Sequence, residues 1–360
     1  MNVVLLSSDF YPNIGGVAAH VLELAKALKA LGHKVIIVAQ NHSKHRHAEE
    51  LFGLMVLRPS FKTSSAFYGT RLRRYLLKVV DKYNVDIIHV HTIRALPATK
   101  NLSLPIIFTN HTSTFLRKVS GSKYQQRRIL RKLQHCQAII APSQILINKT
   151  RAIGFSGKLL FQPNGVDIDR FYPKASEQLS STVFLFAGRF VTVKGPKVLA
   201  DAIKLLGAAN YRVIFVGEGE ELADVKLILS DEIYQERCEY LGYISNEKMP
   251  HVYHRATVTV LPSFMEATSI TGLEAMASGH ALIGSKVGGI PVLIEHDVNG
   301  FLVTPGDHVE LAEKLRKLID EHELVRKMAH ASRAKAETQF SWRLVASNVV
   351  DIYSTVLEEG

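Results

Sequence analysis

A chain of 360 residues that is 47% hydrophobic and 21% charged can bury two domain cores, which excludes a disordered polymer. Its two cysteines, Cys136 and Cys238, are far apart and lack metal-type spacing, which argues against a disulfide framework or a zinc site and suits a reducing compartment. The net charge of +11 is uneven: residues 1–165 hold 24 Lys/Arg against 6 Asp/Glu and residues 166–360 hold 20 against 27, so the first half faces an anionic partner, whether nucleic acid, acidic lipid or phosphorylated substrate.

The first segment, "MNVVLLSSDF", is apolar without a basic leader and runs into a turn, so it reads as a strand and not as a signal peptide. A loop with Gly15 and Gly16 follows. Then Val17, Val21, Leu24, Ala25, Leu28 and Leu31 fall on one helical face, and Gly32 stops the helix. "HKVIIVAQ" completes a βαβ unit, and "VDIIHVHT", "LPIIFTNHT" and "AIIAPSQ" continue as short apolar strands. That pattern predicts a parallel sheet covered on both faces. At 162–181 the periodicity lapses into Pro, Gly, Asn, Asp and Ser, the expected linker. A second alternation then starts with "TVFLFAGRF" and "GPKVLADAIKLLG" and runs through "YRVIFVGEG", "CEYLGYIS", "ATVTVLPS", "HALIGSKVGG" and "GFLVTPGD". The last segment puts Trp342, Val345, Val349, Ile352 and Val356 roughly in helical register. No apolar run approaches the roughly 18 residues that span a bilayer. The expectation is a soluble or peripheral α/β protein of two doubly wound sheets, residues 1–165 and 166–340. Ligands are expected at the C-terminal strand ends, in the cleft between the sheets.

Three sets of residues could carry chemistry there. Gly15-Gly16, between a strand and a helix, lets backbone N–H groups approach a phosphate, or simply makes a tight turn. The pattern is not G-x-G-x-x-G, and Gln40 stands where a dinucleotide site wants an acid, which disfavours a nicotinamide cofactor. In "AGRFVTVKG", Arg189 follows a strand and Lys194 opens the next helix, a possible diphosphate clamp where the alternative is two solvated cations. In "FMEATSITGLEAMASG", Glu266 lies at a strand end, and Thr268, Ser269 or Thr271 can cap a helix whose free N–H groups would take a second phosphate. Glu266 and Glu274 would repel that phosphate. They suit hydroxyl groups on either side of it, as in a nucleotide-diphosphate sugar, or they merely favour the helix dipole.

With these residues in place, the chain resembles the retaining glycosyltransferases of family 4, which have the GT-B fold. The resemblance rests on E-x7-E after "LPS", on "LEAMASG", and on "FYPNIGGVAAHVLELAKALKALGHKV", "VDIIHVHT", "PNGVDIDRFYP", "AGRFVTVKG" and "VGGIPVLIEHDVNGFLVTPGD", in the family's order over nearly the whole chain. It implies that Gly15 and Gly16 line the diphosphate and sugar. Arg189 and Lys194 would bind the diphosphate, with Ser269, Ile270 and Thr271 at the phosphate loop, the last two offering backbone N–H groups. Glu266 would hold a hydroxyl of the transferred sugar and Glu274 the ribose. His111, in "TNHTST", matches the family's active-site histidine; by itself it reads as a capping or core residue. A helix at about 341–360 would cross back onto the first domain. The acceptor would attack on the leaving-group face with no covalent nucleophile, and the clamp cations would replace a metal, so no metal or other cofactor is expected. The chain departs from many relatives at Thr268-Ser269, where they have Phe-Gly, and at Val292, where they have Glu.

The basic half bears on the acceptor. Residues 115–135 hold seven Lys/Arg and no acid, and in 71–82 basic residues alternate with Leu, Val and Tyr at helical spacing. Arg71, Arg73, Arg74, Arg117, Lys118, Arg127, Arg128 and Arg131 suit an anionic membrane surface, so a lipid or lipid-linked glycan acceptor is expected at the cytoplasmic face. A solvated face with a soluble anionic acceptor is the alternative. Aromatic platforms for single strands are not evident, so nucleic acid is not expected. The histidines of "NHSKHRH" (41–47) read as a surface loop. The opening "SSDFYPNIGGV…H" also resembles family members that transfer N-acetylglucosamine to phosphatidylinositol. The donor is expected to be a UDP-sugar carrying a hexose or N-acetylhexosamine. The rivals are a GT-B sugar-nucleotide 2-epimerase and a non-catalytic nucleotide-sugar- or membrane-binding module.

Overall fold

The structure, a computed structural model, describes residues 1–12, 15–40, 47–62, 64–111, 115, 119–174 and 181–359. The chain divides into two compact units, Met1–Asn164 with Trp342–Gly360, and Gly165–Ser341. The second unit takes the chain where it enters and where it leaves: Val166 N donates to Phe340 O (2.7 Å), and Val166 bridges to Ser341.

The first unit holds strands β1 (Asn2–Ser7), β2 (Lys34–Ala39), β3 (Ala48–Leu51), β4 (Leu54–Leu57), β5 (Ile87–Val90), β6 (Ile106–Thr109), β7 (Ala138–Ala141) and β8 (Lys158–Phe161) in the order β3-β4-β2-β1-β5-β6-β7-β8. Its principal helices before the crossing are α1 (Gly16–Ala30), α2 (Tyr68–Tyr83), α3 (Lys123–Leu133) and α4 (Gln144–Ala152). The strands read as continuous apolar runs because both faces are covered. One face carries Val4, Leu6, Ile88 and Val90 against Leu72, Leu76 and Val79 of α2 and Ile129 and Leu133 of α3. The other carries Val3, Leu5, Ile37 and Ile107 against α1.

The expected parallel sheet needs one correction. β3 pairs antiparallel with β4 through Phe52-Gly53, both at positive φ, so the edge is a hairpin. Arg58, just past β4, is fully buried: its Nε donates to Glu49 Oε1 (2.6 Å), Nη1 to Gln40 O (2.9 Å) and Nη2 to Tyr11 O (2.6 Å). One guanidinium thus ties the hairpin to the chain leaving both β1 and β2.

The second unit holds β9 (Thr182–Ala187), β10 (Tyr211–Val216), β11 (Cys238–Tyr240), β12 (Val258–Leu261), β13 (Ala281–Ser285) and β14 (Gly300–Val303), all parallel, in the order β11-β10-β9-β12-β13-β14. Its principal helices are α5 (Pro196–Leu206), α6 (Ile270–Ala277), α7 (His308–Asp320) and α8 (His322–Lys335). Helix α9 (Trp342–Glu358) then returns to the first unit and packs on α1. Its buried stripe is Val345, Ala346, Val349, Tyr353 and Val356, with Trp342 and Ile352 at its flanks, so Tyr353 points inward where the sequence register favoured Ile352. Among the described residues no helix is long and apolar enough to cross a membrane.

Candidate active site

β9 and β12 are parallel neighbours, so the chain leaves both at the same edge of the second sheet. Backbone contacts hold the two exits together. Phe264 N donates to Val193 O (2.9 Å), and Gly195, at φ +66°, lies so close to Pro262 that a side chain would strike its carbonyl. This brings the Lys194 ammonium into an ion pair with the Glu266 carboxylate, Glu266 being the more buried partner. Lys194 does not open a helix as expected: it ends a short 3-10 turn, Thr192–Lys194, and Pro196 opens α5, where a missing N–H costs nothing. Arg189 is exposed and has no ion-pair partner among the described residues.

The loop after β12 is fixed from behind. Gly289 N donates to Glu266 O (3.1 Å), and Gly288, at φ +54°, approaches that carbonyl so closely that a Cβ would overlap it. Of the three candidate caps, Ser269 is the residue that closes the helix start, its Oγ accepting from Gly272 N (3.0 Å). Thr271 Oγ1 instead donates to Ala187 O (3.1 Å), fastening the start of α6 to the end of β9. Ile270 and Thr271 occupy the first helical turn, where backbone N–H groups have no intrahelical acceptor. Glu274, one turn further, is buried, and Tyr253 Oη donates to its Oε2 (2.9 Å). Burial pushes the Glu274 carboxyl up to about 7, opposed by the Tyr253 hydrogen bond and the Arg170 charge. The second unit thus gathers Lys194, Glu266, Ser269, Ile270, Thr271 and Glu274 at one sheet edge, with Arg189 at the end of β9.

In the first unit, Gly15 caps α1 and Gly16 opens it. Both are exposed, and among the described residues a Cβ on either would meet nothing within 4 Å, so no described neighbour demands glycine there. One turn into α1, the His20 ring lies 4.3 Å from that of His111, just past β6, and 5.6 Å from that of His91, just past β5. His91 Nδ1 and His111 Nε2 share a hydrogen bond of 2.9 Å, and His20 Nδ1 donates to Asn164 Oδ1 (3.1 Å). Behind them His89 Nδ1 meets Tyr353 Oη (2.7 Å) and its Nε2 meets Thr109 Oγ1 (2.6 Å). Burial holds His20 down to about 4 and His89 to about 3. Burial and neighbouring imidazoles hold His91 and His111 well below 6.5, so all four are neutral at pH 7.

The expected acceptor face is built from α2 and α3. Arg71, Arg74, Arg127, Arg128 and Arg131 are exposed, and Arg73 is half-buried with Nη2 donating to Asn101 O (3.2 Å). The exposed Phe67, Leu77 and Tyr124 lie along the same two segments. Arg117 and Lys118 lie outside the described residues, as does most of 41–47. Sequence reasoning missed His20, His91, Tyr253 and Arg170 as site residues. The i, i+2 pair His89 and His91 in "HVHT" was a signal for the histidines, whereas Tyr253 and Arg170 are brought to Glu274 only by folding.

Residues 14–170 match the family described as Glycosyltransferase Family 4, and residues 167–335 match Glycosyl transferases group 1. N-acetyl-alpha-D-glucosaminyl L-malate synthase of Bacillus anthracis is 25% identical over 97% of this chain and 96% of its own. The gpi3 subunit of phosphatidylinositol N-acetylglucosaminyltransferase from Schizosaccharomyces pombe is 24% identical over 99% and 81%. The solved structure of Anabaena Alr3699/HepE in complex with UDP superposes with a TM-score of 0.77 at 20% identity, over 99% of this chain and all of that one. The two family matches together run from residue 14 to residue 335, and the chain belongs to glycosyltransferase family 4, with the GT-B fold.

Proposed function

We propose that this glycosyltransferase moves a hexose or N-acetylhexosamine, with retention and without a catalytic metal, from a nucleotide-diphosphate sugar to a lipid or lipid-linked glycan. It works as a peripheral protein on the cytoplasmic face of a membrane, and a UDP-sugar is the favoured donor. The observation that carries this reading is the Lys194–Glu266 pair beside the Ser269-capped start of α6, with Glu274 buried one turn beyond.

In this reading the Ile270 and Thr271 N–H groups and Arg189 hold the diphosphate. Lys194 has three N–H donors, so it can keep Glu266 and still reach a phosphate oxygen. Glu266, held in place by Lys194, accepts from a sugar hydroxyl. Glu274 accepts from the ribose with the oxygen that Tyr253 does not occupy. The bond from the anomeric carbon to the diphosphate breaks as the bond to the acceptor oxygen forms on the same face. A diphosphate oxygen takes the acceptor proton, and Arg189, Lys194 and the α6 dipole stabilise the leaving charge. Gly15, Gly16 and the neutral His111 contribute from the first unit. Relatives support both halves of the reading: the HepE structure holds UDP, and the gpi3 relative is named for a phosphatidylinositol acceptor. The exposed cations and apolar residues of α2 and α3 suit a membrane surface.

The test is a melting and product-release screen with UDP-, GDP- and ADP-sugars, with and without anionic phospholipid vesicles. One nucleotide should raise the melting temperature by mass action, and Glu274→Ala should weaken its binding roughly tenfold to a hundredfold. Nucleotide release stimulated by lipid supports the membrane acceptor. Release stimulated only by a soluble anion moves the acceptor into solution. Acceptor-independent conversion of the donor marks an epimerase. Vesicle binding without stabilisation by any sugar nucleotide leaves a binding module.

A further inference from the structure

The histidine cluster of the first unit has a use beyond sugar contact. Among the described residues, His20, His91 and His111 are the group whose ring nitrogens, one from each, lie within 4.8 Å of one another. From this geometry we infer that the three imidazoles form a site for a borderline divalent transition ion, with Zn²⁺ as the reference case.

The ring positions match. Imidazoles bound at about 2.0–2.1 Å to a tetrahedral ion have nitrogens roughly 3.4 Å apart and ring centres roughly 5 Å apart. The three centre-to-centre distances are 4.3, 5.2 and 5.6 Å. Binding an ion would open the 2.9 Å hydrogen bond between His91 and His111 into a pair of ligands. The proton they share then moves to the far nitrogen of the ring that carries it, so the imidazoles stay neutral. His91 supplies such a nitrogen: its Nε2 is buried and has no hydrogen-bond partner among the described residues.

His20 is already oriented as a ligand. A carbonyl oxygen has no hydrogen to give, so His20 Nδ1 carries the proton toward Asn164 Oδ1 and Nε2 is left bare. An oxygen acceptor on the second ring nitrogen, the part Asn164 Oδ1 plays here, fixes the tautomer and orientation of a metal-binding histidine. Three imidazoles select Zn²⁺, Co²⁺, Ni²⁺ or Cu²⁺ over Mg²⁺ and Ca²⁺, and leave a fourth position for water. The consequence for activity rests on the role proposed for His111: an ion on that ring withdraws it from the donor, so the site would inhibit transfer.

The experiment uses the full chain stripped of metal and titrated with Co²⁺ alone, read by its visible d–d absorption, followed by displacement with Zn²⁺ in a calorimeter. One ion per chain is expected, in a four-coordinate environment. Affinity should fall tenfold or more in both His20→Gln and His91→Gln. Asn164→Ala, which keeps all three ligands, should weaken binding about tenfold and provides the reading if a ligand variant fails to fold. Replacing His42, His45 and His47 together by Gln should change nothing. Absence of the band, or a band that survives in His20→Gln and His91→Gln or disappears with the 42/45/47 variant, overturns the inference. Zn²⁺ should also suppress transfer and a chelator restore it. Binding without suppression upholds the ion site and instead removes His111 from the transfer reading.

Discussion

In the first unit His20, His89, His91 and His111 crowd together, and burial strips their charge. In the second, Lys194 and Glu266 come from two strand exits and hold each other as an ion pair. The two sites therefore offer a ligand different things. The first offers neutral donors and acceptors whose state follows pH. The second offers an ion pair and, beside it, Glu274, which has a tyrosine hydroxyl where Glu266 has an ammonium and which burial pushes up to about 7. At Glu274 the Tyr253 hydrogen bond and the Arg170 charge together do not outweigh desolvation, whereas Glu266 has an ammonium in direct contact.

The comparison breaks most visibly at Lys194. Lys194→Ala strands the Glu266 carboxylate and, on the role proposed for Lys194 at the diphosphate, turnover should fall about a hundredfold to a thousandfold, read as kcat in steady-state assays. Retention of more than about a tenth of wild-type turnover would show that the paired charge is not used in the transition state.

Next in size is the response to acid. His20 stays neutral in the folded chain down to about pH 4, whereas the unfolded chain protonates it near 6.5. The unfolded state therefore binds more protons in that window. Stability is full above 6.5 and is lost as pH falls toward 4, by roughly 1.4 kcal/mol for each unit separating the two values. Glu274 has the opposite sign. The folded chain holds its proton up to about 7 and the unfolded chain releases it near 4.5, so its contribution is present below 4.5 and lost as pH rises to about 7. Denaturant unfolding at several pH values separates the two: His20→Gln should flatten the acid loss and Glu274→Gln should steepen it. A wild-type stability that does not change between pH 6.5 and 4, with both variants parallel to it, would contradict the neutral-histidine account.

The smallest effect sharpens the first site's dependence on the returning helix. Tyr353→Phe removes the hydroxyl that meets His89 Nδ1 and should cost about 1–2 kcal/mol in unfolding free energy. The same loss measured in a His89→Leu background should be smaller, since the partner is gone.

Strands buried on both faces are continuous apolar runs, which is why β1, β5, β6, β9 and β12 were legible from sequence. β3 was not: it is an edge strand with Glu49-Glu50 at its centre, and its pairing depends on the Phe52-Gly53 turn and on Arg58. The E-x7-E spacing exposed Glu266 and Glu274 because both sit in one loop and helix. What it could not expose were the groups that set their state. Lys194 reaches Glu266 from 72 residues away and Tyr253 reaches Glu274 from 21. His111 was marked by its motif, but His20 and His91 join it only because β5, β6 and α1 converge at one sheet end.

The approach of Gly288 to the Glu266 carbonyl separates what can vary in this enzyme from what cannot. The carboxylate is aimed by main chain pressed on main chain, so the loop works like a socket whose depth is set by a missing methyl group. Around it, Phe264 and Met265 are exposed. Those two side chains can be exchanged without touching the backbone contacts that aim the carboxylate. Alanine at 288 would alter no charge, yet its methyl group would displace the Glu266 carbonyl, and with it the Gly289 hydrogen bond that fixes the loop bearing the carboxylate.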